Sequence, residues 1–203
     1  GEDPGTWAGI AGDALADLME KGVQFGIDDR NIRMLEMRLL YAARDNAAFE
    51  NAGEITAALR MEKDETEIAA MQEAVVIAQT AFETLLGEIE SGMTEKQIAS
   101  MLVKNLFDAG SDPTLPFSPI VASGPMNSAN PHATPTERKI EEGDLIVFDW
   151  GASKNGYLSD ISRTVAAGDI DAKQMEIYEA VKASNAAGRA FGKPGVTCEE
   201  VDA

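Results

Sequence analysis

The chain has 203 residues, of which 44% are hydrophobic, which is enough for a sizeable core, and its composition is not that of a disordered or fibrous protein. The 35 acidic and 17 basic residues give a formal charge of −18, which disfavours binding to nucleic acid or anionic membrane, because both depend on Lys and Arg. No apolar run approaches the roughly 20 residues of a membrane span. The single cysteine, Cys198, excludes an internal disulfide framework and fits a reducing compartment, so we expect a cytoplasmic location.

The first section of the sequence, residues 1 to 56, has the pattern of α/β structure. A short apolar run predicts a strand from Val23 to Ile27, and a second helix is expected from Asp28 to Ala43. Before the strand, a first helix is predicted to end at Gly22, and its apolar positions are Trp7, Ile10, Leu15, Leu18 and Met19. Helices on either side of a short strand indicate an α/β domain, and this section is too short to be a complete one.

The second section, residues 57 to 203, opens with two predicted helices. The second of them, residues 95 to 109, follows a capping-box pattern at Thr94 to Gln97, and its inward residues are Ile98, Leu102 and Leu106. The first spans about residues 63 to 89, and its apolar stripe consists of Ile68, Met71, Val75, Ala78, Phe82, Leu85 and Ile89. Stripes at this spacing are typical of helices that pack on a core.

The rest of the section alternates loops, strands and helices. Residues 111 to 135 are rich in Pro, Ser, Asn and Gly, which indicates a functional loop with a short strand at residues 118 to 122. A capping-box pattern at Asp171 and Gln174 predicts a helix that ends near Gly192, and a third box at residues 197 to 200 predicts another. The sequence stops about one turn into that last helix, and a single turn is only marginally stable. We therefore expect an internal portion of a longer polypeptide.

Two aspartates lie on the arms of a predicted β-hairpin. The first arm is the apolar run from Leu145 to Trp150, the second runs from Tyr157 to Val165, and Asn155-Gly156 between them tolerates the positive φ angles of a tight reversal. With a four-residue loop, Asp149 and Asp160 are expected directly opposite each other and on one face.

A pair of opposed carboxylates favours a metal site. Opposed residues have Cβ atoms roughly 4.5 to 5.5 Å apart, so the two charges repel unless a cation lies between them. Two-metal hydrolytic sites hold their ions roughly 3.5 to 4 Å apart, a spacing that one carboxylate can bridge. The alternative is that one aspartate is a turn residue and the other an exposed edge-strand charge. The apolar run before Asp149 favours a ligand, because an unpaired buried carboxylate is costly.

His132 is the only histidine and lies in the polar loop before the hairpin. A lone loop histidine is more often an ordinary surface residue. Pro131 restrains the backbone beside it, and the loop leads to the strands with the candidate ligands, which favours a role in polarising a carbonyl, moving a proton or binding metal. The chain has no Gly-x-Ser-x-Gly motif and Cys198 has no obvious activating partner, so Ser or Cys nucleophiles are disfavoured.

Together these motifs resemble the creatinase, prolidase and aminopeptidase P family of metallopeptidases, which share the pita-bread fold. The stretch from Gly143 to Thr164 is similar to the family's first metal-ligand hairpin, and Pro131-His132 to its active-site histidine. Residues 59 to 68 are similar to the segment that enters the catalytic domain, and residues 91 to 95 to its helix connection. The resemblance implies an α/β (α+β) fold. Residues 1–56 would be the C-terminal part of a creatinase-like N-terminal domain, and 57–203 the N-terminal half of a pita-bread domain.

The resemblance also implies a dinuclear metal-dependent peptidase that hydrolyses the bond before proline by a metal-bridging hydroxide. Asp149 would bind one metal ion, Asp160 would bridge two, and His132 would be the catalytic residue that contacts substrate. The expected metals are manganese, cobalt or zinc, the substrate is a peptide with proline at its second position, and a homodimer is the expected assembly.

The sequence departs from the family in its number of ligands. The family's second half supplies one further histidine and two glutamates that have no counterpart here, so we expect the chain alone to be inactive or at best a weak metal binder. Two alternatives stay open: a non-catalytic peptide-binding module of the same fold, and a non-peptidase hydrolase or lyase that uses the same metal site.

Overall fold

The computed structural model describes residues 3–16, 24–43 and 48–202. The chain divides into two compact units, Gly1–Asp64 and Glu65–Ala203. The boundary predicted from the sequence, after residue 56, falls inside a helix that spans Gly53–Met61, and the identity of the two predicted domains stays a prediction. Four positions used to predict the first helix and strand lie outside the described residues: Leu18, Met19, Gly22 and Val23.

The first unit combines helices with a two-stranded parallel sheet. After a short 3-10 turn its elements are α1 (Trp7–Ala16), β1 (Gln24–Ile27), α2 (Met34–Ala43), β2 (Ala48–Asn51) and α3 (Gly53–Met61). β1 and β2 run parallel, and Phe49 packs between two other rings, with its centroid 5.9 Å from that of Phe25 and 5.0 Å from that of Tyr41. The sequence predicted the α/β character of this unit but not β2.

Helix α2 begins at Met34, not at Asp28 as predicted. The Asp28 carboxylate accepts hydrogen bonds from the Arg30 backbone N–H (3.2 Å) and the Asn31 side-chain amide (2.7 Å). These bonds close a local turn, a structure that Asp and Asn side chains favour over helix. The turn therefore delays the start of the helix.

The second unit contains a three-stranded antiparallel sheet and five helices among its described residues. Its first helices are α4 (Glu65–Leu86) and α5 (Glu95–Asp108), followed by β3 (Ile120–Ser123), the short α6 (Gly124–Asn127), β4 (Leu145–Trp150), β5 (Ser153–Lys154), β6 (Tyr157–Leu158), β7 (Ile161–Ala166), α7 (Ala172–Phe191) and α8 (Cys198–Asp202). The sheet order is β3-β4-β7. The capping boxes predicted before α5 and α7 are confirmed, and Thr197 and Glu200 form the third.

The core of the second unit lies between the sheet and the helices α4 and α5. Phe82 of α4 stacks on Trp150 at 4.3 Å between ring centroids and meets Phe148 edge-on at 5.1 Å. The Trp150 indole N–H donates to the Ala78 carbonyl over 3.0 Å. The inward residues predicted for α5 are confirmed, because Ile98, Leu102 and Leu106 are fully buried. The prediction that Ile68 begins the apolar stripe of α4 is wrong, since 55% of its surface is exposed.

Along β4, buried and partly buried residues alternate, as expected for a strand with one face on a core. Ile146, Phe148 and Trp150 point inward, and Leu145, Val147 and Asp149 belong to the other face. No helix in residues 3–16, 24–43 and 48–202 combines the length and apolar character needed to cross a membrane.

Candidate metal centre

The hairpin reversal predicted at Asn155-Gly156 is confirmed. Asn155 has a φ of +50° and Gly156 a φ of +80°, and they connect β5 and β6, in which Lys154 pairs with Tyr157. Positive φ at both central residues defines the two-residue type I′ turn, whose twist matches that of the flanking strands. The reversal is thus centred between Asn155 and Gly156, one residue later than predicted.

This shift changes the partner of Asp149. In the β4–β7 ladder Asp149 pairs with Ser162 and Trp150 with Ile161, so the prediction that Asp149 and Asp160 stand directly opposite is wrong. The cause is the loop length, because moving the centre of a hairpin by one residue moves every partner by two. A shift of two preserves the face. Asp160 is therefore a diagonal neighbour of Asp149 on the same side, a separation that long side chains still span.

The two carboxylates interact electrostatically. Burial raises the pKa of the Asp149 carboxyl and the adjacent carboxylate of Asp160 raises it further, whereas a hydrogen bond from Ser162 lowers it. The Ser162 hydroxyl donates to Asp149 Oδ1 over 3.1 Å. The net pKa of Asp149 lies above its ordinary value, because its charge is partly removed from water next to a like charge. A divalent cation at this position would remove that penalty.

Gly151 brings the two arms together between the aspartates. A Cβ atom at Gly151 would lie 2.0 Å from the Ser159 carbonyl oxygen and 3.0 Å from Pro116 Cγ. The first distance is far inside van der Waals contact, so only glycine fits here. The glycine that follows Trp150 in the predicted motif is therefore explained by close approach of the backbone.

Ser159 anchors the residue next to Asp160. Its hydroxyl donates to the Ala74 carbonyl of α4 over 3.0 Å and accepts from the Ala152 N–H over 3.0 Å. Its backbone N–H donates to the Ala152 carbonyl over 2.9 Å. The second arm of the hairpin is thus fixed to the core helix just before Asp160, although Asp160 itself is exposed. Ser159 belongs to the predicted hairpin motif, but the sequence does not indicate this role.

His132 lies in the connection between α6 and β4, and its side chain is exposed. Its backbone N–H donates to Asn130 Oδ1 over 3.1 Å, which forms a local turn around Pro131. Within the part of the chain that the structure describes, no hydrogen bond or ion pair joins its imidazole to Asp149 or Asp160. The same part contains no group of three or more His, Cys, Asp or Glu side chains that could hold a metal ion.

Sequence reasoning missed a buried polar network beside this connection. Glu95 is fully buried and accepts hydrogen bonds from Ser123, Asn127 and Thr136. Arg138 forms an ion pair with buried Asp144, with its two terminal nitrogens 2.5 and 2.9 Å from the carboxylate oxygens. The burial of Glu95 was not predicted, because a glutamate in the first turn of a helix is ordinarily a surface residue that interacts with the helix dipole.

The hairpin with its aspartate pair lies on a sheet that packs against the two helices α4 and α5. The model of metallopeptidase family M24 matches residues 69–203, and the chain belongs to this family. The predicted family and fold class are thus confirmed.

The individual proteins that the chain is similar to include Xaa-Pro dipeptidases and an X-Pro aminopeptidase. The chain is 34% identical to an Xaa-Pro dipeptidase of Lactobacillus helveticus over 202 residues, which are 99% of this chain and 54% of that protein. It is 36% identical to an Xaa-Pro dipeptidase of Pyrococcus furiosus over 154 residues, 76% of this chain and 44% of the relative. The solved X-Pro aminopeptidase of Thermotoga maritima is similar with a TM-score of 0.86 and 30% identity, over 100% of this chain and 55% of that one. The chain spans about half the length of the curated relatives that it matches.

Proposed function

We propose that the chain contributes part of the metal site of a dinuclear Xaa-Pro peptidase of the aminopeptidase P or prolidase type. The observation that supports the proposal is the aspartate pair, in which Asp160 lies diagonally across the hairpin from Asp149 and the pKa of Asp149 is raised by burial and, further, by the Asp160 carboxylate. Two carboxylates held together against their repulsion are a common arrangement for divalent cations. The names of the relatives supply the substrate class, a peptide with proline at its second position.

The donor chemistry fits this role. Carboxylate oxygens are hard ligands that suit manganese, and they also bind cobalt or zinc. Asp149, which accepts a hydrogen bond from Ser162, would hold one ion, and Asp160 would be a ligand shared by two. Divalent ions, when bound, lower the pKa of a coordinated water and stabilise the oxyanion that forms on peptide hydrolysis. His132 contacts the substrate and supports the charge that develops on it.

Two carboxylates are too few to hold two metal ions well, so the activity is proposed for the full-length protein. The chain of residues 1–203 by itself is proposed to bind divalent metal weakly and to be inactive. A homodimer, a cytoplasmic location, and the identity of residues 1–56 as the end of a creatinase-like N-terminal domain are smaller proposals. Sedimentation of the full-length protein and cell fractionation test the first two.

The decisive experiment compares carboxylate variants of the full-length protein loaded with manganese. Asp149→Ala and Asp160→Ala are expected to lose bound metal, measured by elemental analysis, together with hydrolysis of a peptide with proline at its second position. Asp169→Ala removes another exposed aspartate, from the connection between β7 and α7, and is the matched control for Asp160→Ala, expected to stay within about twofold of wild type.

Two results would contradict the proposal. Retention of metal and turnover by Asp160→Ala would remove the bridging role. Binding of proline peptides by the wild-type protein without any cleavage, whatever the metal, would favour the non-catalytic module instead.

A further inference from the structure

Glu95 is a buried charge that the proposed metal chemistry does not use. It is the first residue of α5, and none of its surface is exposed. A carboxylate removed from water is costly unless it is paired or fully hydrogen-bonded. Glu95 meets this requirement through hydrogen bonds from Ser123, Asn127 and Thr136.

Both oxygens of Glu95 accept hydrogen bonds, and their donors lie on both sides of one loop and within it. We define the His132 loop as residues 124–135. Oε1 accepts from the backbone N–H (2.7 Å) and the hydroxyl (2.8 Å) of Ser123, which immediately precedes the loop. Oε2 accepts from the backbone N–H (2.9 Å) and the hydroxyl (2.6 Å) of Thr136, which immediately follows it. Oε2 also accepts from the Asn127 amide within the loop, over 2.8 Å.

Backbone hydrogen bonds and an ion pair reinforce this closure. The Glu95 N–H donates to the Arg138 carbonyl over 3.0 Å, and the Lys96 N–H to the Thr136 carbonyl over 3.1 Å. Arg138 donates to the Ser123 hydroxyl over 2.7 Å and pairs with Asp144, the residue before β4. The first turn of α5 therefore ties the end of β3 to the chain that leads into β4.

His132 itself has little to hold it. It is exposed, and among residues 3–16, 24–43 and 48–202 its hydrogen bond is the one from its backbone N–H to Asn130 Oδ1. Where the imidazole lies thus depends on the local turn and on the fixed ends of the loop. The ends are fixed by Glu95.

We propose that Glu95 is a positioning residue whose buried carboxylate closes the His132 loop and thereby places His132 for catalysis. This inference rests on the proposed role of His132 in Xaa-Pro hydrolysis. Glu95 would thus affect catalysis although it lies far along the sequence from Asp149 and Asp160.

The test uses Glu95→Gln in the full-length, manganese-loaded protein. Glutamine keeps the shape but turns one acceptor into an N–H₂ group that faces donors, so the loop ends lose part of their attachment. We expect kcat for a peptide with proline at its second position to fall about 10- to 100-fold, with bound metal unchanged. The same change in a His132→Ala background is expected to cost less than about twofold, because residues that act through one another are not additive.

Two further measurements separate positioning from general damage to the fold. Amide hydrogen exchange of the full-length protein is expected to accelerate in the His132 loop of Glu95→Gln while α4 and β4 keep their protection. The control, Glu137→Ala, removes an exposed ion pair between Lys96 and Glu137 (2.7 Å) that joins the same two segments, and it is expected to leave kcat and loop exchange unchanged. If Glu95→Gln does not fold, Thr136→Val, which removes one hydroxyl donor, is tested in its place with a smaller loss expected.

The outcomes distinguish the two proposals. If Asp149→Ala, Asp160→Ala and His132→Ala all keep wild-type activity, the proposed function falls, whatever Glu95 does. If those variants are inactive but the Glu95→Gln loss is equally large with and without His132, Glu95 does not act through His132. Wild-type kcat and wild-type loop exchange in Glu95→Gln would overturn the inference directly.

Discussion

Replacing Gly151 with alanine tests whether close approach of the hairpin arms holds the aspartate pair together. The added Cβ would lie 2.0 Å from the Ser159 carbonyl oxygen, and real Cβ contacts essentially never fall below 3.0 Å. The arms must therefore move apart by at least 1 Å at the position between Asp149 and Asp160. Pro116 Cγ lies only 3.0 Å from the same Cβ position and restricts the movement that could relieve the clash.

Overpacking of this kind typically costs about 1 to 3 kcal/mol, and contact with backbone places Gly151→Ala in the upper part of that range. The assay is urea unfolding of the chain without metal, followed by far-ultraviolet circular dichroism, with the slope m expected to stay unchanged. Because the arms separate next to the carboxylates, the affinity for manganese, measured by calorimetry, is expected to fall as well.

Gly188→Ala is the matched control, since it makes the same chemical change where a Cβ meets nothing within 4 Å. Gly188 lies inside α7, so alanine there is expected to stabilise the helix by about 0.5 to 1 kcal/mol. Opposite signs at the two glycines would support the steric explanation. If Gly151→Ala is as stable as wild type within about 0.5 kcal/mol and binds manganese equally well, the arms are not held as described.

Three further predictions concern the charge of Asp149, the binding of manganese and the ion pair between Arg138 and Asp144. Because the pKa of Asp149 is raised in the folded chain, the contribution of this carboxyl to the stability of the metal-free protein is expected to fall as pH rises from the unfolded value of 3.8 through the folded pKa. Asp149→Asn is therefore expected to be more stable than wild type at neutral pH, and the difference is expected to vanish below about pH 4 in urea unfolding at a series of pH values. Manganese at a hundredfold excess over its Kd is expected to stabilise wild type by about 2.7 kcal/mol and the Asp149→Asn chain by clearly less, measured by thermal unfolding. Asp144→Ala removes the closer of the two carboxylates that pair with Arg138 in the described part of the chain, leaving Glu141 at 3.6 Å, and is expected to cost about 3 kcal/mol in urea unfolding. Breaking the exposed Lys104–Asp108 pair with Asp108→Ala is expected to leave the unfolding midpoint almost unchanged.

The hairpin shows how far local sequence specifies this fold. Asn155-Gly156 predicted the reversal correctly because both residues accept positive φ. The register was wrong because a four-residue loop was assumed in place of the two-residue turn that Asn-Gly favours. The error left the face of the site intact, since side chains in a strand alternate and a displacement of two restores the same side. Shared face was thus predictable, and direct opposition was not.

Long-range contacts explain what local patterns did not reveal. The donors of Glu95 lie 28 to 41 residues further along the chain, and no periodicity within α5 indicates that they converge. Strand β2 of the first unit was missed for a related reason, because a four-residue strand is defined by its pairing with β1 more than by its own sequence. The capping boxes and the α5 stripe, whose signals are local, were predicted correctly.

The alternation along β4 places the residues that stabilise the fold and the residue proposed to bind metal on opposite faces of the same strand. Phe148 and Trp150 fix the ladder by packing on α4, while Asp149 between them belongs to the other face. A strand can hold an unfavourably placed carboxylate only if its remaining residues supply the packing that keeps the ladder formed. The raised pKa of Asp149 shows that its ionised form is disfavoured in the folded chain, and the packing of the aromatic face offsets this loss of stability. A divalent cation bound at Asp149 would stabilise the ionised form.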